Sequence, residues 1–335
     1  METGAGSYAA ALRAELAARN RVWARGRAHV ESYGADPVVV FEPEGDRHGN
    51  FYDPAYAGIV SRPEWAKRLE KAHTGRRGLP RAVSGRKWRE LDSCMSSDAL
   101  LMNLFCTPGM ADCAELRRML GIETDDLPRF GWRAKVPLTS GLFDRTEVDM
   151  RWGGLLAEAK LTEGDFQTRA AAVVEGYRDF DLVFDREMLP HVEVMTARRR
   201  TAVEFAEAYS QEWEDSAGLA PEEAAAVAGE YQAGLVAEAE ASAPREVRYR
   251  SYQLIRNVLA AYAEGGRFCV MADARRPDLK EAWFRVMGAV RSAEMRSRCL
   301  MVTWQELAAL APAGLQAFLA AKYGIGEAVG AMQIT

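Results

Sequence analysis

Two strand-like runs, TEVDMRW and LLAEAKL, meet at the Gly153-Gly154 pair. A Gly-Gly dipeptide between such runs closes a tight hairpin, because glycine enters the positive-φ conformations of these turns without steric cost. Closure fixes the register: Trp152 faces Leu155, and counting outward sets Asp149 opposite Glu158 and Glu147 opposite Lys160. Side chains alternate between the two faces of a strand, and directly opposed residues share a face. Asp149, Glu158 and Lys160 therefore gather on one surface.

Opposed carboxylates repel unless something compensates them. A divalent cation does so naturally, since Mg²⁺ takes one or two carboxylates and leaves its other positions to water and phosphate. A lysine two residues on can stabilise a hydroxide nucleophile or the charge growing on a phosphate. Leu155, Leu156 and Ala157 before the acid, and Leu161 after the lysine, suit a buried setting. The same letters also fit an ordinary surface hairpin. A second stretch, ARRPDLKEAW, imitates the pattern with Pro277, Asp278 and Lys280, but reads as a turn with Asp278 capping the helix that follows.

The surrounding order of elements is a helix (LDSCMSSDALLMNLFC, with Ser96, Ser97 and Asp98 as start signals) and a second helix stopped by Gly121. Three short strands follow in GWRAKVPL, FDRTEVDMRW and LLAEAKL, and after an Ala/Glu-rich stretch come YRSYQLIRNVLAAYAEGG (helix), RFCVMAD (strand), LKEAWFRVMGAVRS (helix), CLMVTW (strand) and a closing helical segment. This is an α/β fold with a mixed central sheet flanked by helices. We expect an N-terminal helical and loop appendage over 1–90, a core over 91–164 and 248–325, and a helical insertion over 165–247. In the appendage, Arg76, Arg77, Arg81, Arg86, Lys87 and Arg89 occur without an acidic residue among them. They fit either a phosphate-contacting arm or a solvated connection.

At 48% hydrophobic and 27% charged residues, the chain can build a sizeable core and is not of disordered composition. Its net charge of -5 argues against a protein that is basic all over, so any nucleic-acid contact must be a local patch. The five cysteines form no CxxC pair and the four histidines stand apart from them, which excludes the usual zinc patterns and suits a reducing, cytoplasmic compartment. Arg13, Glu15 and Arg19 interrupt the N-terminal apolar residues, unlike a signal peptide, and no run of 18 apolar residues suggests a membrane span.

With these residues in view, the chain resembles the PD-(D/E)xK nuclease superfamily, whose restriction-endonuclease-like fold places the acid on the second strand of a meander and Glu-x-Lys on the third. ELDSCMSSDALLMNLFC and TEVDMRWGGLLAEAKLTEGDFQ look like a bacterial group of such proteins. The resemblance implies that Asp149 and Glu158 bind Mg²⁺, with Mn²⁺ as a substitute, and that Lys160 assists the attacking water. It further implies that Gln253 faces the site, an exposed helix position being the alternative. The proline usual before the first acid is absent, replaced by Glu147-Val148. The implied activity is metal-dependent cleavage of DNA phosphodiester bonds, with RNA left open and with pairing of two copies expected of enzymes that cut both strands. The rival reading is a non-catalytic nucleic-acid-binding or assembly protein that keeps the fold.

Overall fold

The structure, a computed structural model, describes residues 5–32, 37–72, 89–195 and 245–326. Helices α1 (Ala5–Trp23), α2 (Asp53–Val60) and α3 (Pro63–Leu69) come first, then α4 (Ser97–Phe105) and α5 (Ala114–Leu120). Strands β1 (Arg129–Arg133), β2 (Glu147–Trp152) and β3 (Leu155–Ala159) form the meander. Then come α6 (Tyr252–Ala263), β4 (Arg267–Ala272), α7 (Pro277–Ala289), β5 (Cys299–Thr303), α8 (Trp304–Ala309) and α9 (Ala313–Tyr323).

The five strands make one mixed sheet in the order β5-β4-β3-β2-β1. β1, β2 and β3 pair antiparallel, whereas β3–β4 and β4–β5 are parallel. Parallel neighbours require a crossover; α6 leads into β4, and α7 lies between β4 and β5. All five residues of β3 and five of the six in β4 are buried, as expected of central strands covered on both faces. β2 instead alternates, with Val148, Met150 and Trp152 buried and Glu147, Asp149 and Arg151 half-buried.

Leu155, Ala157, Met150 and Trp152 pack with Leu100, Leu101, Leu104 and Phe105 of α4. Leu12 and Leu16 of α1 and Val39–Phe41 belong to the same core, so residues from the stretch expected as an appendage help build it. Ser96 caps α4 by accepting from the Ala99 N–H, and Gly121 ends α5 in the left-handed region at φ 66°. The Asp278 expectation needs correction: Arg276 occupies the cap position of α7, Pro277 opens the helix, and the Asp278 carboxylate is bound by Arg276.

The chain divides into two units, one of 1–167, 176–189 and 251–335, the other of 168–175 and 190–250. In the second, the described residues form an antiparallel sheet in which Arg245–Arg250 lies between Thr168–Ala170 and His191–Met195. Of the helical insertion expected over 165–247, residues 196–244 lie outside the described residues, together with Arg76, Arg77, Arg81, Arg86 and Lys87. Among the described residues no helix is long and apolar enough to cross a membrane. The five cysteines are free thiols; Cys94, Cys106 and Cys269 are buried.

Candidate active site

The hairpin register runs as the Gly-Gly turn requires, with Trp152 opposite Leu155 and Met150 opposite Ala157. The backbone ladder then stops. Asp149, next in line, accepts the Ala159 N–H on its own Oδ2 at 2.8 Å, so a carboxylate stands where a strand carbonyl would otherwise serve. β3 continues against β4 instead, Val270 facing Glu158 and the Lys160 N–H reaching the Met271 carbonyl.

Glu158 and Lys160 share a face and are both buried, at 2% and 5% exposure. Lys160 Nζ donates to Glu158 Oε1 at 2.8 Å, and the Asn257 amide from α6 donates to Glu158 Oε2 at 2.9 Å. Arg256 donates to the Asn257 Oδ1 and to the Glu147 carbonyl, which turns the amide nitrogen of Asn257 toward Glu158. Buried charges persist only when paired and hydrogen-bonded in this way.

The charges shape one another. Burial first, then the negative charges of Glu158 and Asp98, push the Asp149 carboxyl well above the usual carboxylate range against the pull of Lys160 and the Ala159 amide. Burial works against the charged form of Lys160, but Glu158, Glu163 and Asp149 outweigh it and hold the ammonium above the ordinary lysine value. Lys160 is therefore a fixed positive charge at neutral pH.

Further charges act on Asp149 from Asp98 and Arg68. Arg68 of α3 bridges Asp98 on α4 at 2.7 Å and Glu147 at 2.5 Å. Lys71 meets Asp98 and Glu90, each at 3.0 Å. After Lys160, the Glu163 carboxylate takes the Leu161 N–H and the Ser97 hydroxyl, tying this loop to the start of α4. The loop is held from the other side by Arg276, whose fully buried guanidinium donates to the carbonyls of Leu161, Glu163 and Gly164 and doubly to Asp278. All five of its N–H donors are satisfied.

A sequence model of the family described as "Restriction Endonuclease associating with ARP" matches residues 17–324. The chain belongs to that family. No curated protein and no solved structure matches it. In this member of the family, Asp149, Glu158 and Lys160 lie together on the hairpin. Gln253 stands one helical turn before Asn257, on the same side of α6. Its backbone N–H donates to the carbonyl of Phe166, whose ring lies 5.8 Å from Lys160 Nζ, and its side-chain oxygen is buried without a hydrogen-bond partner. Arg89, the one described member of the basic run, bridges to Glu70 at 3.2 Å.

Among the described residues no three His, Cys, Asp or Glu side chains cluster as a metal cage; the hairpin offers two carboxylates. Asn257, Asp98, Glu163 and Arg276 escaped the sequence reading. Asn257 follows Gln253 by one turn and Glu163 follows Lys160 by three residues, so both were signalled by spacing. Asp98 was visible only as a helix-start residue.

Proposed function

We propose that this chain is a Mg²⁺-dependent nuclease of the PD-(D/E)xK type that hydrolyses DNA phosphodiester bonds. The observation that carries the reading is the buried Glu158–Lys160 pair beside Asp149 at the point where β2 and β3 part. The donor set fits a hard divalent cation. Burial and neighbouring acids leave negative charge at Asp149 under-compensated, and α6, which brings Asn257 to Glu158, also carries the orphaned Gln253 oxygen one turn earlier. Asp149 and Glu158 would hold the ion. Bound there, it supplies Lewis-acid polarisation of a phosphate and lowers the cost of deprotonating water.

The chain's own residues account for the rest. Lys160, held on Glu158 and permanently charged, stabilises negative charge on the phosphate and is no general base. Asn257 fixes the free end of Glu158, while Arg276 and Glu163 fix the loop that follows Lys160. DNA as the substrate rests on the family's description as restriction endonuclease. RNA is the competing substrate.

One observation favours the non-catalytic rival: both Glu158 oxygens already have partners, as in a self-satisfied structural pair. Cleavage of plasmid, single-stranded DNA and RNA in Mg²⁺ or Mn²⁺ separates the readings. The nuclease reading expects metal-dependent cutting by wild type and a loss of about 100-fold or more in Glu158→Gln and in Lys160→Met, the scale of removing a key charge-stabilising donor. Cutting at equal rates by all three proteins would place the chemistry elsewhere.

A further inference from the structure

The N-terminal region encloses a cleft of about 380 Å³ between the end of α1, the 43–48 hairpin, the start of α2 and α9. That volume lies in the range of small-molecule sites, which combine apolar walls with a few polar groups. Trp23 and Phe318 meet edge to face at 5.4 Å, and Tyr52 tilts against the same Phe318 ring at 5.8 Å, giving the cleft three aromatic walls. None of these residues touches the hairpin chemistry.

The cleft lining carries two arginines, Arg27 and Arg47, alongside two carboxylates, Glu44 and Asp53. The Arg27 guanidinium lies 3.6 Å over the Trp23 ring, and its hydrogen bond goes to the Trp23 carbonyl instead of to a carboxylate. Burial holds Arg27 below its usual value; Asp53 pulls the other way, and the charge of Arg47 adds to the push. Arg47 reaches Asp53 only at 3.5 Å, with both side chains well exposed. One helical turn past Phe318, Lys322 is fully buried and donates to Asn20. Burial brings its pKa down to about 7, partly offset by Cys94 and reinforced by Arg27. Arg27 lines the cleft with its hydrogen bond on a backbone carbonyl, and an anion in the cleft would give its guanidinium a charged acceptor.

We propose that this cleft binds a nucleoside phosphate, with the base against Trp23, Tyr52 and Phe318 and the phosphate at Arg27 and Arg47. Aromatic faces stack on bases, and arginine forks match phosphate oxygens. Glu44 and Asp53, which also line the cleft, are acceptors suited to ribose hydroxyls. Three aromatic walls exceed what a bare anion needs, and two guanidiniums exceed what an uncharged aromatic ligand needs. The proposal stands apart from the nuclease reading and survives its failure.

The test is calorimetric titration of the full chain in EDTA with AMP, ADP, adenosine and inorganic phosphate. Saturable nucleotide binding is expected, with adenosine and phosphate each weaker by about tenfold or more, the worth of one charge-assisted contact. Arg47→Ala, at a well exposed side chain, and Arg27→Met, which keeps the stem over Trp23, are each expected to weaken the nucleotide about tenfold. Glu158→Gln is expected to leave binding unchanged. No saturable nucleotide binding, phosphate alone binding as tightly as AMP, or arginine variants binding like wild type would overturn the proposal. So would loss of binding in Glu158→Gln with both arginine variants unaffected, which would move the nucleotide to the hairpin.

Discussion

Asp149 faces the negative charges of Glu158 and Asp98 in a buried setting, and that makes its protonation a stability term. Its folded-state pKa is raised by burial, Glu158 and Asp98, so the folded protein holds this proton to higher pH than the unfolded chain does. The contribution to stability is therefore fully present below the ordinary carboxylate range and is lost as pH rises through the raised value. In metal-free buffer, Asp149→Asn, which can still accept the Ala159 N–H, is expected to raise the thermal midpoint at about pH 7 to 8. The gain should shrink as pH falls and vanish toward about pH 3, below the ordinary Asp value, where the carboxyl is protonated in both states. A lower midpoint for the variant at neutral pH would contradict this account of Asp149. Lys160→Met has the opposite sign. It strands the buried Glu158 carboxylate on Asn257 alone, and removing one partner of a buried pair costs about 3–5 kcal/mol. Urea denaturation of this variant should show that loss, and adding Glu158→Gln should recover much of it, because the uncompensated charge then disappears.

The hairpin that holds these residues depends on one backbone conformation. Gly153 sits at φ 58°, and a Cβ built there would come 2.7 Å from the Thr124 methyl. Gly154 has open space around the same position. Gly153→Ala is expected to cost about 1–2 kcal/mol for the left-handed conformation alone, and Gly154→Ala within about 0.5 kcal/mol, the range of ordinary surface changes; equal midpoints in denaturant would argue against the turn as described. This element was the most legible in the sequence, because a two-residue turn fixes register and register fixes which side chains share a face. The helix start at Ser96 and the stop at Gly121 were legible for the same local reason. What the hairpin arithmetic missed is the end of the ladder after Met150 and Ala157, where the Asp149 side chain takes over an amide. Ladder ends depend on how β3 is drawn to β4, which lies beyond the local sequence. The reading of Asp278 as a cap failed similarly: a buried Arg276 claims that carboxylate while holding a loop that begins at Leu161, 115 positions earlier in the chain.

Across the whole molecule, the alternation of helices and strands was enough to anticipate a mixed central sheet flanked by helices, which the five-stranded sheet bears out. The long-range partners of the candidate site were not readable, because they depend on which face of a helix meets the sheet. Asn257 stands 99 positions from Glu158 and needs the α6 crossover to reach it. Arg68 comes from α3, in the segment first read as an appendage, and borders Asp149 through Asp98 and Glu147. The account rests on the claim that these elements converge to make a divalent-cation site, and that claim can be tested without knowing which DNA sequence, if any, is cut. The measurement is calorimetric titration of Mg²⁺ and Mn²⁺ into the full chain, wild type beside Asp149→Asn and Glu158→Gln, with each fold checked by circular dichroism. One saturable site in the wild type, lost in both folded variants, is the result the account predicts. Metal binding unchanged by either substitution, or absent from a folded wild type, would contradict it.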